Sequence, residues 1–179
     1  MKINTLVLAK YATPEAFSNI LKKTEVPTNA ITKVIIKRED YALVSELLVC
    51  HERHMMGDVC DLLWESANLD PKTPLLIAST SGYLKKQALN KFDVDIGIFC
   101  DEATYAGFHF DEDNRLVESG ELIGKKAFCL YFSRTQDFVD VAKKIIVARK
   151  STDGMYQLST VVNQCILDGL SIVVQPFEE

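Results

Sequence analysis

Four side chains that could bind a transition metal fall within one short stretch of the chain. Cys50, His51, His54 and Cys60 carry soft or borderline donor atoms of the kind that suit Zn²⁺. Their spacing matches no recognised zinc-finger pattern, and a tetrahedral site would require all four to converge. Because a cysteine in an apolar segment ordinarily packs as a small hydrophobic residue, the favoured interpretation is packing, and no metal site is predicted here.

A second set of candidate ligands is acidic. Asp101 and Glu102 follow the apolar run IGIFC, and residues 111–113 begin the polar run DEDN. Hard dications prefer carboxylates, but Asp and Asn are also frequent turn residues, and DEDN is therefore predicted to be a turn. His109 has no evident Ser or Cys partner for nucleophilic catalysis, and it is predicted to be structural.

The elements that must position these groups are those of an α/β domain. The chain has 179 residues, of which 47% are hydrophobic and 25% charged, enough for one domain with a core over residues 1–179. Continuous apolar runs alternate with helical patterns, which predicts a mainly parallel, Rossmann-like sheet covered by helices. The predicted strands are 3–9, 33–37, 46–51, 74–79 and 171–175, and the predicted helices are 14–23, 57–67, 137–149 and 155–167.

The hydrophobic pattern of the sequence changes between residues 95 and 133. Several strand-like runs occur there, joined by the DEDN turn, and this pattern predicts antiparallel β additions to the sheet.

Charge and hydropathy exclude several classes of partner. The net charge of −5 opposes broad binding to a phosphate backbone, so nucleic acid is not an expected partner. The apolar runs are too short for a membrane helix, and the first residues lack a signal-peptide cleavage pattern, which predicts a cytoplasmic protein. Five scattered cysteines without framework spacing agree with a reducing compartment.

Four segments, in the same order, resemble the nucleotidyltransferase-like family with a GT-A fold, the relatives of the sugar-nucleotide pyrophosphorylases. VIIKREDY resembles F-I-V-R-K-E-H-Y, and STDGMYQLSTVVN resembles N-G-E-F-Y-V-S-P-V-Y-N. HMMGDVCDLLWESANLDPKTPLLIASTSGYL resembles a family segment ending N-D-x-P-L-L-I-A-N-S-D-Q-Y-V, and AFCLYFSRTQDFVDVAKKII resembles one with the pattern S-D-F-V-x-x-A. The resemblance covers roughly residues 32–174 and implies a GT-A-type sheet.

The resemblance also implies that the family's catalytic groups are missing. The family grips the triphosphate with a Gly-rich loop after its first strand and holds Mg²⁺ with two acids. Here no glycine precedes Gly57, Ser81 stands in place of the first acid, and Met155 stands in place of the second. A hydroxyl or thioether is a poor ligand for Mg²⁺, so Mg²⁺ is expected to bind weakly if at all, with Asp153 or Asp58 as weak alternative ligands. The implied protein is a pseudoenzyme.

A ligand crevice is expected outside the carboxyl ends of the parallel strands. Gly57 matches the family glycine that lets the backbone approach the nucleobase, although a glycine can also simply begin a helix. The candidate nucleotide-binding residues are Lys10, Gly57, Asp58, Ser79, Thr80, Ser81 and Tyr83.

Three hypotheses remain open from the sequence. The first is a degenerate domain that binds a nucleotide or nucleotide sugar without nucleotidyl transfer and acts as a binding or regulatory protein. The second is an active transferase on nucleotide sugars or phosphosugars with rearranged metal ligands. The third is an interaction module without a ligand, which pairs with a protein partner or with itself as a homo-oligomer.

Overall fold

The computed structural model describes residues 3–8, 32–36, 49–51, 56–79, 93–123 and 126–177. The strands in these ranges are β1 (Asn4–Leu8), β2 (Thr32–Ile36), β3 (Val49–His51), β4 (Leu75–Ser79), β5 (Ile96–Cys100), β6 (His109–Phe110), β7 (Leu116–Glu118), β8 (Phe128–Phe132) and β9 (Ile172–Pro176). The helices are α1 (Asp58–Ser66), α2 (Glu102–Tyr105), α3 (Thr135–Val147) and α4 (Leu158–Leu167).

A mostly parallel sheet forms the centre of the described structure. Its strand order is β3-β2-β1-β4-β8-β5-β9. β8 runs antiparallel to both β4 and β5, whereas β1 is parallel to β2 and β4, β2 to β3, and β5 to β9. The described parallel strands therefore end at one edge of the sheet, and β8 begins at that same edge.

The two faces of the sheet bury different sets of side chains because successive residues of a strand point to opposite faces. One face packs against α1, α3 and α4 through a large apolar cluster that includes Leu62, Phe138 and Val161. The other face carries a smaller cluster of Ile3, Leu76, Ala78, Phe99, Cys129 and Tyr131. Strands buried on both faces explain why the sequence shows continuous apolar runs instead of alternation.

The predicted α/β class with a mostly parallel sheet is confirmed, and most elements lie within a few residues of their predicted positions. The predicted helix 14–23 lies outside the described residues. The antiparallel additions are β8, which is inserted into the central sheet, and the separate hairpin of β6 and β7. β5 falls within the same predicted region, but it runs parallel to β9 as a regular strand of the central sheet.

The predicted helix 155–167 begins later than expected. Residues 152 and 155 form an isolated antiparallel bridge, and the helix starts only at Leu158. Asp153 and Gly154, both at positive φ, form the tight turn inside that bridge. An Asp-Gly pair is the preferred sequence for such a two-residue turn, so the turn competes successfully with the helix for Met155.

The run DEDN is a turn, as predicted. The Asp111 carboxylate accepts hydrogen bonds from the backbone nitrogens of Asp113 and Arg115, and Asn114 has φ 58°. In the ranges that the structure describes, no helix is long and apolar enough to cross a membrane.

Candidate functional site

The carboxyl edge of the central sheet is the region where the sequence predicted a ligand crevice. Of the predicted nucleotide-binding residues, Gly57, Asp58 and Ser79 are described, and all three lie at or beside this edge. Lys10, Thr80, Ser81 and Tyr83 lie outside the described residues.

Ser79, the last residue of β4, is fully buried, and its hydroxyl is used to hold two strands together. Its Oγ accepts a hydrogen bond of 3.0 Å from the backbone nitrogen of Phe128 and donates one of 3.3 Å to the Phe128 carbonyl oxygen. The regular β4–β8 ladder ends one residue earlier, at the pair Ala78 and Cys129. The side chain of Ser79 thus extends the ladder by one step and fixes the start of β8 at the carboxyl edge.

Gly57 precedes α1 and has a backbone conformation, φ 99° and ψ 172°, that is essentially restricted to glycine. A Cβ atom at this position would lie 2.5 Å from the carbonyl oxygen of Tyr156 and 2.9 Å from its nitrogen. Both conformation and space therefore require glycine here, independently of any ligand. The sequence-based alternatives were a nucleobase contact or a simple helix start, and the close approach of Tyr156 was not anticipated.

The segment around Tyr156 holds the beginning of α1 by backbone contacts. The Tyr156 nitrogen donates to the Met56 carbonyl at 2.7 Å, and the Val59 nitrogen donates to the Tyr156 carbonyl at 3.4 Å. No side chain caps this helix, so the Tyr156 carbonyl takes over part of the work of an N-cap residue. The Asp-Gly pair at 153 and 154 was the sequence signal that could have predicted this hairpin.

Met155, which replaces the second acid in the family resemblance, and Asp153, the weak alternative ligand, have different surroundings. Met155 is bonded through its backbone in both directions to Thr152, at 2.9 Å each, and its side chain is 44% exposed. Asp153 is exposed at the tip of the turn, with φ 51°. Asp153 therefore lies at the tip of the turn, and Met155 lies in the bridge that closes it.

Asp58 begins α1 and, with Asp61, makes the first turn of this helix acidic. Asp58 is half-buried and Asp61 is buried. Carboxylates at a helix N-terminus interact favourably with the helix dipole. They also reduce the positive potential that an uncapped helix would otherwise offer to a phosphate group.

Asp101 follows β5 at the same edge and is occupied as a helix cap. Its Oδ1 accepts a hydrogen bond of 2.8 Å from the Thr104 nitrogen, and this contact begins α2. Hydrogen bonding from Thr104, helped by the charge of Lys126, lowers the pKa of Asp101 below its ordinary value. Within the described ranges, no group of three or more His, Cys, Asp or Glu side chains is arranged to hold a metal ion.

Burial disfavours the reactive thiolate form of three described cysteines. Burial, together with the nearby Asp101 charge, raises the pKa of Cys100 to about 12. Burial also raises the pKa of Cys165 to about 12, with smaller contributions from nearby carboxylates, and raises the pKa of Cys129 further. Cys60 is partly buried against the core, while the side chains of its three proposed zinc partners, Cys50, His51 and His54, lie outside what the structure describes.

His109, which was predicted to be structural, lies in the hairpin of β6 and β7. Its side chain is 65% exposed, and its Nδ1 lies 3.0 Å from Glu118 Oε2 across the β6–β7 hairpin. The hairpin forms a two-stranded sheet of its own. Its neighbours Phe108 and Leu116 are part of the main core cluster, whereas the side chain of His109 faces outward. An exposed ion pair of this kind contributes little to stability.

Comparison with solved structures identifies the fold. The nucleoside-diphosphate-sugar pyrophosphorylase from Vibrio cholerae RC9 superposes with a TM-score of 0.60 at 11% identity, over 98% of this chain and 91% of that one. The fold is that of the nucleotidyltransferases.

Two further structures agree with this assignment of the fold. They are the CTP:phosphocholine cytidylyltransferase from Streptococcus pneumoniae (TM-score 0.58, 12% identity, 100% of this chain and 91% of that one) and the inositol-1-phosphate CTP transferase from T. maritima (TM-score 0.58, 13% identity, 97% and 84%). No protein-family model and no curated protein matches the sequence. At these identities the nucleotidyltransferase-like likeness concerns the fold and not the activity.

Proposed function

We propose that this chain is a single nucleotidyltransferase-like domain, over residues 1–179, that binds a nucleotide or nucleotide sugar at the carboxyl edge of its sheet and does not transfer the nucleotidyl group. It acts as a binding or regulatory protein in this proposal. The observation that supports the proposal is the 152–157 segment, in which the backbone of Tyr156 packs on Gly57 and holds the start of α1. In the sequence resemblance, Met155 of the same segment stands where the family has its second acid. In this proposal the scaffold of the site is kept and a group needed for metal chemistry is replaced.

The local chemistry supports binding better than catalysis. A thioether does not serve a hard dication, and the nearest carboxylate in sequence, Asp153, is at an exposed turn tip. Ser79, which precedes the other altered position, Ser81, is bonded to Phe128 in both directions. The alternative of an active transferase requires rearranged metal ligands. These ligands would have to come from residues of the carboxyl edge other than Met155, Asp153 and Ser79.

The electrostatics of the α1 corner favour the nucleoside part of a ligand over its phosphates. Asp58 and Asp61 place negative charge in the first turn, where an approaching phosphate would be repelled. A carboxylate can accept hydrogen bonds from the amino group of a nucleobase. We therefore assign the nucleobase to the corner of Gly57 and Asp58, and the phosphates to the part of the carboxyl edge where β1 and β4 end.

A thermal-shift screen tests the proposal. Nucleoside triphosphates, nucleotide sugars and phosphosugars are each added with and without Mg²⁺ or Mn²⁺ to the wild-type protein. A ligand that binds only the folded state stabilises it by about 2.7 kcal/mol at a hundredfold excess over its Kd. The expected result is a shift with a nucleotide or nucleotide sugar that does not depend on the metal.

Two variants locate the binding site. Asp58→Asn keeps the shape of the corner but removes a charge, and it is expected to change which nucleobase gives the largest shift. Glu112→Gln, in the exposed turn between β6 and β7, is the matched control and should leave the shifts unchanged. A thermal shift that requires the metal would support the alternative of an active transferase instead. If no ligand shifts the unfolding temperature, the remaining hypothesis is an interaction module without a ligand.

A further inference from the structure

The dipeptide Asp-Gly occurs twice in this chain, at residues 153–154 and at residues 168–169. We propose that Asp153 is a site of spontaneous isomerisation to isoaspartate through a succinimide, and that the fold protects Asp168 from the same reaction. The inference does not depend on the proposed function. It rests on the different surroundings of two chemically identical sequences.

The reaction needs only groups of the chain and water. The backbone nitrogen of the glycine attacks Cγ of the protonated aspartic acid side chain, an N–Cγ bond forms, and the Cγ–O bond breaks with loss of one water molecule. Water then adds to either carbonyl of the five-membered ring. Opening at one carbonyl restores aspartate, and opening at the other gives isoaspartate, whose main chain runs through the former side chain with no net change in mass.

The first pair lies at the exposed tip of a two-residue turn, and two hydrogen bonds between Thr152 and Met155 must open locally before the Gly154 nitrogen can reach Cγ of Asp153. Asp153 and Gly154 are both exposed, and a Cβ placed on Gly154 would meet no atom within 4 Å. The two hydrogen bonds that close the turn are donated by Thr152 and Met155, so the Gly154 nitrogen is not a donor in them. Among the described residues, the Asp153 carboxylate has no hydrogen-bonding or ionic partner.

In the second pair, both the Asp168 carboxylate and the Gly169 nitrogen are engaged in hydrogen bonds. Asp168 Oδ1 accepts hydrogen bonds from Lys144 Nζ at 2.7 Å and from Gln164 Nε2 at 2.9 Å. The Gly169 nitrogen donates to the Ile166 carbonyl at 3.1 Å, as part of the end of α4. The hydrogen bond from Lys144 is the main reason that the pKa of Asp168 is lowered, which also keeps its carboxyl group in the less reactive ionised form.

Isomerisation at residue 153 would act on the candidate site. Isoaspartate adds one methylene group to the backbone inside a two-residue turn, so the mutual hydrogen bonds of Thr152 and Met155 no longer fit. The next residue, Tyr156, holds the start of α1 through Met56 and Val59. Aged protein should therefore lose order at the N-terminus of α1 before it loses the central sheet.

Digestion of the aged protein distinguishes the two sites. The wild-type protein is kept folded in warm neutral buffer for several weeks and is then digested with trypsin, which releases residues 151–179 as one peptide. Endoproteinase Asp-N cleaves this peptide before aspartate but not before isoaspartate. The expected result is progressive loss of cleavage before residue 153, giving an intact 151–167 fragment, with cleavage before residue 168 retained.

Three controls make the test specific. The isolated 151–179 peptide, which has no fold, should lose cleavage at both sites. Lys144→Ala in the whole protein should increase isomerisation at residue 168 relative to wild type, because it removes an ion pair from Asp168. Asp153→Glu, which would have to form a less favourable six-membered ring, should stop isomerisation at position 153, as read from the mass and retention time of the 151–167 peptide.

The pattern of cleavage before residues 153 and 168 can either support or overturn the proposal. Loss of cleavage confined to residue 153 in the folded protein, with both sites reacting in the peptide, supports it. Equal loss at both sites, faster loss at residue 168, or no loss at residue 153 in the folded protein while the peptide reacts would overturn it.

Discussion

Replacement of Gly57 by alanine is the sharpest structural perturbation of the candidate site. The backbone conformation of Gly57, φ 99° and ψ 172°, costs a non-glycine residue about 1–3 kcal/mol. The new Cβ would also lie 2.5 Å from the Tyr156 carbonyl oxygen, which is too close for any real contact. The 152–157 segment must therefore move away from α1.

The movement weakens two backbone hydrogen bonds. These are the 2.7 Å bond from the Tyr156 nitrogen to Met56 and the 3.4 Å bond from the Val59 nitrogen to Tyr156. Each such bond contributes about 0.5–1.5 kcal/mol net. If both bonds are lost, Gly57→Ala is expected to lower the free energy of unfolding by about 2–6 kcal/mol in total, including the conformational cost.

Gly154→Ala is the matched control. Gly154 also has positive φ, 76°, but a Cβ there would meet no atom within 4 Å. This variant carries only the conformational cost of about 1–2 kcal/mol. Urea unfolding at equilibrium, with the slope of the transition checked to be unchanged, measures both variants. Equal losses for Gly57→Ala and Gly154→Ala would refute the argument that the backbone of Tyr156 closes on Gly57.

Two further predictions concern side chains that hold the edges of the sheet. Ser79→Ala should destabilise the protein by about 1–3 kcal/mol because it leaves two buried backbone groups of Phe128 without their partner; Ser66→Ala, which removes a single contact to a carbonyl in α1, should cost less in the same urea titration. Lys144→Met tests the pH dependence of stability. The pKa of Asp168 lies below its ordinary value of 3.8, chiefly because of the hydrogen bond from Lys144. The stability that the Lys144–Asp168 pair contributes is therefore present above pH 3.8 and is lost as the pH falls further and the Asp168 carboxylate is protonated. The difference in unfolding free energy between wild type and Lys144→Met should thus be constant near neutral pH and shrink on acidification, and a difference that grows in acid would contradict the assignment.

The sequence predicted several strands of the central sheet well because they are continuous apolar runs. PLLIAS and IGIFC could be identified as buried strands without any knowledge of their neighbours. The strand order could not be identified in this way. The insertion of β8 between β4 and β5 depends on contacts between residues far apart in the chain, such as that of Ser79 with Phe128.

The candidate site shows the same division between local and distant information. The position of Gly57 before a helix was predictable, whereas the approach of Tyr156 to its backbone was not, since the two residues are about a hundred positions apart. The start of α4 was predicted too early because its helical pattern extends back to Met155. The Asp-Gly turn, a local signal for a hairpin, takes Met155 out of the helix.

The central claim is that the protein binds a nucleotide or nucleotide sugar without transferring a nucleotidyl group. The direct measurement is isothermal titration calorimetry with the nucleotide or nucleotide sugar that stabilises the protein most, followed by an assay for pyrophosphate released from a nucleoside triphosphate in the presence of the protein, Mg²⁺ and a phosphosugar. The expected results are saturable binding that is the same with and without Mg²⁺, and no pyrophosphate above the level of a protein-free sample. Binding that requires Mg²⁺, together with pyrophosphate released in proportion to the protein concentration, would contradict this claim.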